Sequence, residues 1–197
     1  MLTQHILLVV FWIFFSFFHS VFAISKWKLH MKKIMQNNFK YYRLLYSCFA
    51  AVTLIFIICY NFSIKSKQLW QVSTIEIILS VVGIVISSYA MIIFTKKFFF
   101  ELSGADILIE EKSSGTLLQT GFYKYVRHPL YTATLLLIWS LFLLQPQLSN
   151  LLTCICITVY TITGITFEEK KLIANFGVAY IDYQKSTPML LPKIIIN

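Results

Sequence analysis

Acidic residues are scarce in this chain of 197 residues: eight Asp and Glu stand against 17 Lys and Arg, a formal charge of +9. Charged residues of both signs make up only 13%, too few to clothe an ordinary water-exposed domain. Cysteine is limited to Cys48, Cys59, Cys154 and Cys156, each inside an apolar run and none in CxxC spacing. That pattern excludes a disulfide framework and gives no ligand set for a metal, so no metal is expected. Repeats and low-complexity tracts are also absent. What the chain has instead is apolar bulk: 58% hydrophobic residues, 17% aromatic residues and a mean hydropathy of +0.73. These residues come in runs long enough to cross a bilayer.

The expected fold is an all-α integral membrane protein, a single membrane-embedded domain over residues 1–197. Five transmembrane helices are predicted at about 5–24, 44–62, 73–95, 130–145 and 147–166. Helices are required because lipid offers no partners to exposed backbone groups, and the runs lack the alternation of a barrel. The first run has no basic leading segment and no small-residue cleavage site, so it reads as a retained span rather than a signal peptide. Lys26, Lys28, Lys32, Lys33, Lys40 and Arg43 lie between the first two spans with no acidic residue among them. Such a loop belongs on the cytoplasmic side, beside anionic lipid, and the basic excess is topological rather than a nucleic-acid footprint. No nucleic-acid partner is expected. Only Lys65 and Lys67 fall between the second and third spans, and Leu144 to Asn150 carries no charge. An external N-terminus and a cytoplasmic C-terminus follow. Residues 96–122 read as a cytosolic connector, and residues 167–184 as a C-terminal amphipathic helix with Leu172, Phe176, Tyr180 and Tyr183 on one face.

Polar residues gather where these spans meet the cytosolic boundary. Thr120 to Tyr131 brings Arg127, His128 and three tyrosines to the start of the fourth span, with Pro129 suited to its first turn. Free backbone donors there, with Arg127 alongside, would hold a carboxylate or phosphate. The plain alternative is an aromatic belt with a snorkelling arginine. Glu168 and Glu169 follow the fifth span, where a carboxylate would face a cationic cofactor or merely cap a helix. His19 lies within the first span and Arg43 at the start of the second. Ionisable groups at that depth are candidate functional residues, and a hydrogen bond to a neighbouring helix is the competing reading of His19.

Gly121-x-Tyr123-x-x-x-Arg127-His128-Pro129-x-Tyr131, then Glu168-Glu169-x-x-Leu172 and Phe176-Gly177-x-x-Tyr180-x-x-Tyr183, resemble the isoprenylcysteine carboxyl methyltransferase and phospholipid methyltransferase superfamily. His19-Ser20 and Tyr42-Arg43-x-x-Tyr46 are similar to bacterial members, including denitrification-associated membrane proteins. The resemblance implies S-adenosylmethionine (SAM) bound at the cytosolic end of a five-span fold and covered by the C-terminal helix, with about residues 96–193 forming the cofactor-binding part. Tyr123, His128, Pro129, Tyr131, Glu168 and Glu169 would line the cofactor. Arg127 and His128 would be the catalytic residues, with Arg127, His19 and Arg43 on the side of the substrate. The chain departs from the family at Ala133, often glycine, and at Gly104-Ala105-Asp106, where phospholipid enzymes carry Gly-x-Gly. Gly164-Ile165-Thr166-Phe167 lacks the arginine that prenylcysteine enzymes place before the acidic pair.

The expected activity is methyl transfer to a lipophilic or small acceptor (carboxylate, thiol or amine) at the cytosolic membrane face, in an integral membrane enzyme of the bacterial inner membrane. The lipid bilayer and the methyl acceptor are the expected partners. The acceptor's identity and the oligomeric state are not legible. Two other readings stay open. One is an NADPH-dependent membrane reductase of the sterol type, which shares an Arg-His-Pro-x-Tyr-like element. The other is a non-enzymatic respiratory accessory protein, with His19 and His128 as haem ligands.

Overall fold

The computed structural model of the protein describes residues 2–103 and 117–192; the side chains of 96–103 lie outside the description. Among the described residues the chain is helical throughout and has no strand: α1 (Leu2–Ala23), α2 (Ser25–Met35), a 3-10 turn (Gln36–Tyr41), α3 (Tyr42–Ser63), α4 (Thr74–Ser103), a 3-10 turn (Gly121–Lys124), α5 (Pro129–Leu144), α6 (Leu148–Phe176) and α7 (Val178–Ser186). Among the described residues four helical stretches are long and apolar enough to cross a membrane, and the apolar α5, with 16 residues, is shorter. The five expected spans correspond to α1, α3, α4, α5 and α6.

Two expectations need correction. The basic loop after the first span contains α2, whose Trp27, Met31 and Met35 recur at four-residue spacing and are its half-buried positions, while its lysines are exposed. The third apolar span, Thr74–Thr95, agrees with the expected bounds, and its helix α4 continues to Ser103. The rest of the expected connector at 104–116 lies outside the described residues. The amphipathic helix expected at 167–184 is two elements. α6 runs through the acidic pair to Phe176, since Glu-Glu-Lys-Lys contains nothing that ends a helix. The break comes at Gly177, whose φ of 58° lies in the left-handed region that glycine adopts without a Cβ penalty. Leu172 and Phe176 therefore sit on α6, and Tyr180 and Tyr183 are the buried residues of α7.

The chain divides into two compact units. The first comprises described residues 2–71, 97–103 and 145–156. Apolar contact gives helices in lipid little reason to prefer each other over lipid tails, so polar contacts carry much of the selection. Trp12 Nε1 donates to Thr153 Oγ1 at 3.1 Å, and Thr153 Oγ1 donates to Asn61 Oδ1 at 3.1 Å. Asn61 Nδ2 then donates to Asn150 Oδ1 at 2.7 Å. This chain of bonds ties α1, α3 and the first turns of α6. Ser66 Oγ receives the backbone N–H of Ser149 at 2.8 Å and pairs with His5 Nε2 at 3.0 Å. His19 pairs through Nε2 with the Tyr46 hydroxyl at 2.8 Å and stacks on Phe15. Its place is thus a link from α1 to α3. Arg43 is half-buried in the first turn of α3.

The second unit comprises described residues 72–96, 117–144 and 157–192. Ser73 and Glu76 form a reciprocal cap at the start of α4: Ser73 N and Oγ donate to Glu76 Oε2 at 2.7 and 2.8 Å, and Glu76 N returns a bond to Ser73 Oγ at 3.3 Å. Trp139 Nε1 donates to Thr158 Oγ1 at 3.1 Å, joining α5 to α6. α4 meets α5 closely at Gly83, where an added Cβ would lie 2.2 Å from Ser140 Oγ and 3.1 Å from Ser140 Cβ. Gly164 in α6 has open space at the same position.

Opposite responses are therefore expected at these two glycines. Gly83→Val overpacks the α4–α5 contact and should cost about 1–3 kcal/mol. Gly164→Ala should stabilise by about 0.5–1 kcal/mol through helix propensity. Heating the detergent-purified proteins and measuring the monodisperse fraction tests both; an unchanged or more stable Gly83→Val would contradict the close approach at Gly83, and a destabilised Gly164→Ala the open space at Gly164.

Candidate active site

The site lies within the second unit and begins with the turn that precedes α5. Gly121 opens the 3-10 turn with φ of 62°, again a backbone conformation suited to glycine. Tyr123 is half-buried within the turn and stands against Phe94 of α4, ring centroids 6.4 Å apart. His128 immediately precedes α5, and Pro129 occupies the first helical position, where no intrahelical N–H is lost. Tyr131 is half-buried two residues further on, its ring 5.7 Å from that of His128.

The backbone donors of the two residues that precede α5 are occupied. Arg127 N donates to Pro188 O at 2.9 Å and His128 N to Met189 O at 3.2 Å. Thr132 Oγ1 reaches Leu190 O at 2.8 Å. The chain after α7 thus lies against the start of α5. Thr187, at φ −121° and ψ 128°, leads it out of the helix extended, and Pro188 forbids further helix.

Glu169 is the centre of the arrangement. Its Oε1 receives Arg127 Nε at 2.8 Å, His128 Nε2 at 3.1 Å and the Tyr180 hydroxyl at 3.4 Å. Its Oε2 receives Gln184 Nε2 at 2.9 Å. Arg127 also donates through Nη1 to the carbonyls of Gln184 at 3.1 Å and Thr187 at 2.5 Å. The Tyr183 hydroxyl donates to Tyr123 O at 2.5 Å, so α7 also grips the turn before α5. Glu168 stands apart from this node. Its side chain is 43% exposed against 15% for Glu169, and its Oε2 lies 4.0 Å from His128 Nδ1, beyond hydrogen-bond reach.

Arg127, His128, Pro129, Tyr131, Tyr123, Glu168 and Glu169 are thus brought into one region, as their order in the sequence led us to expect. His19 and Arg43 belong to the first unit. Sequence reasoning did not single out Gln184, Thr132 or Thr187. Their roles depend on where α7 ends and which carbonyls follow it, which no side-chain pattern announces.

A family model for the NnrU protein matches residues 7–191. The chain belongs to the NnrU family. Methanethiol S-methyltransferase 1 of Bradyrhizobium diazoefficiens is 26% identical over 188 residues, covering 90% of this chain and 63% of that protein. Methanethiol S-methyltransferase 2 of the same organism is 40% identical over 74 residues, 36% of this chain and 27% of the relative. Protein-S-isoprenylcysteine O-methyltransferase of Xenopus laevis is 32% identical over 138 residues, 65% of this chain and 43% of the relative. The chain thus spans less than two thirds of the length of each of these relatives. No solved structure matches. These likenesses agree with the superfamily that the two motifs resemble.

Electrostatics in this NnrU-family chain fix which groups keep their protons. The acidic pair lies beyond the fifth span expected at about 147–166. Burial first, and then the Glu169 carboxylate, raise the Tyr180 hydroxyl above its ordinary value. Burial carries Tyr183 up to about 12, with Arg127 opposing. Tyr123 is raised by burial and then by Glu168. All three phenols stay protonated at neutral pH, and those of Tyr180 and Tyr183 act as donors. Burial works against ionisation of Glu169, yet the hydrogen bonds and charges of Arg127 and His128 outweigh it and hold the carboxyl below its ordinary 4.5.

A depressed carboxyl contributes stability that is complete above its unfolded value and is lost as the pH falls through its lower folded value. The thermal midpoint should therefore lose this contribution only below about pH 4.5, the ordinary value from which Glu169 is displaced. Glu169→Gln leaves Arg127 without its anion and should cost about 3 kcal/mol at pH 7. It should also flatten the acid limb of the pH profile. An unchanged acid limb in Glu169→Gln would show that another carboxyl governs it.

Proposed function

We propose that this chain is a single membrane-embedded domain that transfers the methyl group of S-adenosylmethionine to a thiol, carboxylate or amine of a small or lipophilic acceptor. The reaction would take place at the cytosolic face of a bacterial inner membrane crossed five times, with the N-terminus outside. The observation that carries this reading is the half-exposed Glu168 carboxylate beside a less exposed Glu169, both of whose oxygens already accept from protein donors. The names of the methyltransferase relatives support the reaction class.

The residues present fit such a cofactor. Glu168 offers a carboxylate to a positively charged group and, unlike Glu169, is not surrounded by protein donors. His128 Nε2 donates to Glu169, and its Nδ1 lies on the side of Glu168. Tyr123 and Tyr131 supply half-buried aromatic walls on either side of Pro129. When bound, the sulfonium of the cofactor supplies a methyl carbon already activated for displacement.

The protein's task is then alignment and exclusion of water rather than strong acid–base chemistry. Pro129 and the bonds to the chain after α7 fix the direction in which α5 leaves the site. Glu168 orients the cationic end of the donor, and the aromatic rings shield the reacting atoms. A carboxylate acceptor needs no base, whereas a thiol or amine must lose a proton. His128, with Nδ1 on the side of Glu168, would assist that loss in such a case.

Calorimetric titration of detergent-purified protein with S-adenosylhomocysteine tests the reading. Micromolar binding is expected, with at least about tenfold weakening in Glu168→Ala and His128→Ala, the scale for losing one charge-assisted contact. Absence of binding by well-folded wild type would sink the methyltransferase reading and move the reductase and accessory-protein readings ahead.

A further inference from the structure

We infer that Arg127 is a positioning residue: it latches the chain after α7 onto the start of α5 and thereby holds the site shaped for its cofactor, instead of meeting the methyl acceptor itself. The cofactor half of this statement rests on the function proposed above; the latch itself does not.

The geometry leaves the guanidinium little capacity for a ligand. Arg127 is 10% exposed, its Nε is bonded to Glu169, and its Nη1 is shared between the carbonyls of Gln184 and Thr187. An arginine that orients a substrate anion needs a free paired edge, because recognition of a carboxylate uses two parallel N–H bonds. Here the edge that includes Nε already lies on a carboxylate of the protein. The backbone points the same way, since Arg127 N donates to Pro188 O.

Four successive carbonyls are captured, one after another. Thr187 O accepts from the Arg127 side chain, Pro188 O from Arg127 N, Met189 O from His128 N and Leu190 O from Thr132 Oγ1. Arg127 therefore makes two of the four captures and also the bond to Glu169. Removing its side chain would leave Glu169 facing only neutral donors and His128, and would release Gln184 and Thr187 together. The main-chain bonds at 188 and 189 would then close a segment no longer anchored where it leaves α7. The Glu169 carboxylate, freed from its guanidinium, would also compete with Glu168 for a cation, so the latch keeps the two acids in separate roles.

A bland reading is available: the Arg127–Glu169 pair stabilises the C-terminus and has no bearing on the site. Two measurements on the full-length protein separate the readings. The first, made without ligand, is hydrogen–deuterium exchange at the His128 amide, whose partner is Met189 O, and across 187–192. The second is the affinity for S-adenosylhomocysteine. Arg127→Ala should speed exchange at His128 by about tenfold or more and weaken the ligand by a similar factor, as expected for losing charged hydrogen bonds. Arg127→Lys keeps the charge, but one ammonium cannot span Glu169 and both carbonyls, so it should fall between wild type and alanine in both readouts. The lysine variant also carries the test if the alanine variant does not fold.

Unchanged exchange in either variant overturns the latch. Faster exchange with unaltered affinity overturns the positioning role and leaves the bland reading. Faster exchange in a protein whose wild type binds no adenosyl ligand supports the latch and defeats the methyltransferase reading instead.

Discussion

One partly buried carboxylate organises this protein's polar end. Glu169 is mostly withdrawn from water, and an ion so placed loses hydration that protein donors must replace. Arg127, His128, Tyr180 and Gln184 meet that demand, and each comes from a different place: the turn before α5, the residue preceding it, and two positions on α7. Satisfying a single side chain thus fixes the register of α5 against α6 and the docking of α7 on both. The chain beyond α7 then adds its carbonyls to donors that the start of α5 would otherwise leave open. Charge assistance makes these bonds stronger than neutral ones, so the node can hold together helices whose apolar faces discriminate little.

The same economy of polar contacts recurs in the other unit with neutral groups. Trp12, Thr153, Asn61 and Asn150 form a line of donors and acceptors through otherwise apolar helices. His19, a candidate for substrate contact on sequence grounds, is joined to Tyr46. A titratable residue inside an apolar run signals an important interaction, but does not say whether the partner is a ligand or another helix.

Legibility followed the same division. Long apolar runs located α1, α3, α4, α5 and α6 because a span's length and composition are set by the bilayer. Pro129 located the start of α5 because proline is tolerated only where no hydrogen bond is lost. The two motifs correctly brought Tyr123, His128 and the acidic pair together. Less legible was α2, whose lysines read as a topological signal that masked its four-residue apolar stripe. The continuation of α6 past Thr166 was missed because the change from apolar to charged was taken as a structural boundary, whereas Gly177 alone supplies one. Glu168 and Glu169 look equivalent in the sequence. A helix turns by about 100° between neighbours, so one faces the packed interior and the other the open side. The backbone carbonyls of 187–190 carry no side-chain signature at all.

This asymmetry bears on what the proposed enzyme can recognise. Relatives named for chemically distant acceptors, a small thiol and an isoprenylcysteine carboxyl, both match this chain. On the proposed reading the node, the aromatic walls and Glu168 all serve the donor of the methyl group, and nothing in them distinguishes sulfur from oxygen nucleophiles. Phenols that keep their protons provide no general base, and displacement at an activated methyl carbon asks for none when the acceptor is already anionic. Selectivity between acceptors must then come from shape and solvation along the apolar helices. There the chain has Ala133 buried where relatives of the superfamily often carry glycine, and no arginine just ahead of the acidic pair. On that reading, the search for this chain's substrate belongs among the helices rather than at the node.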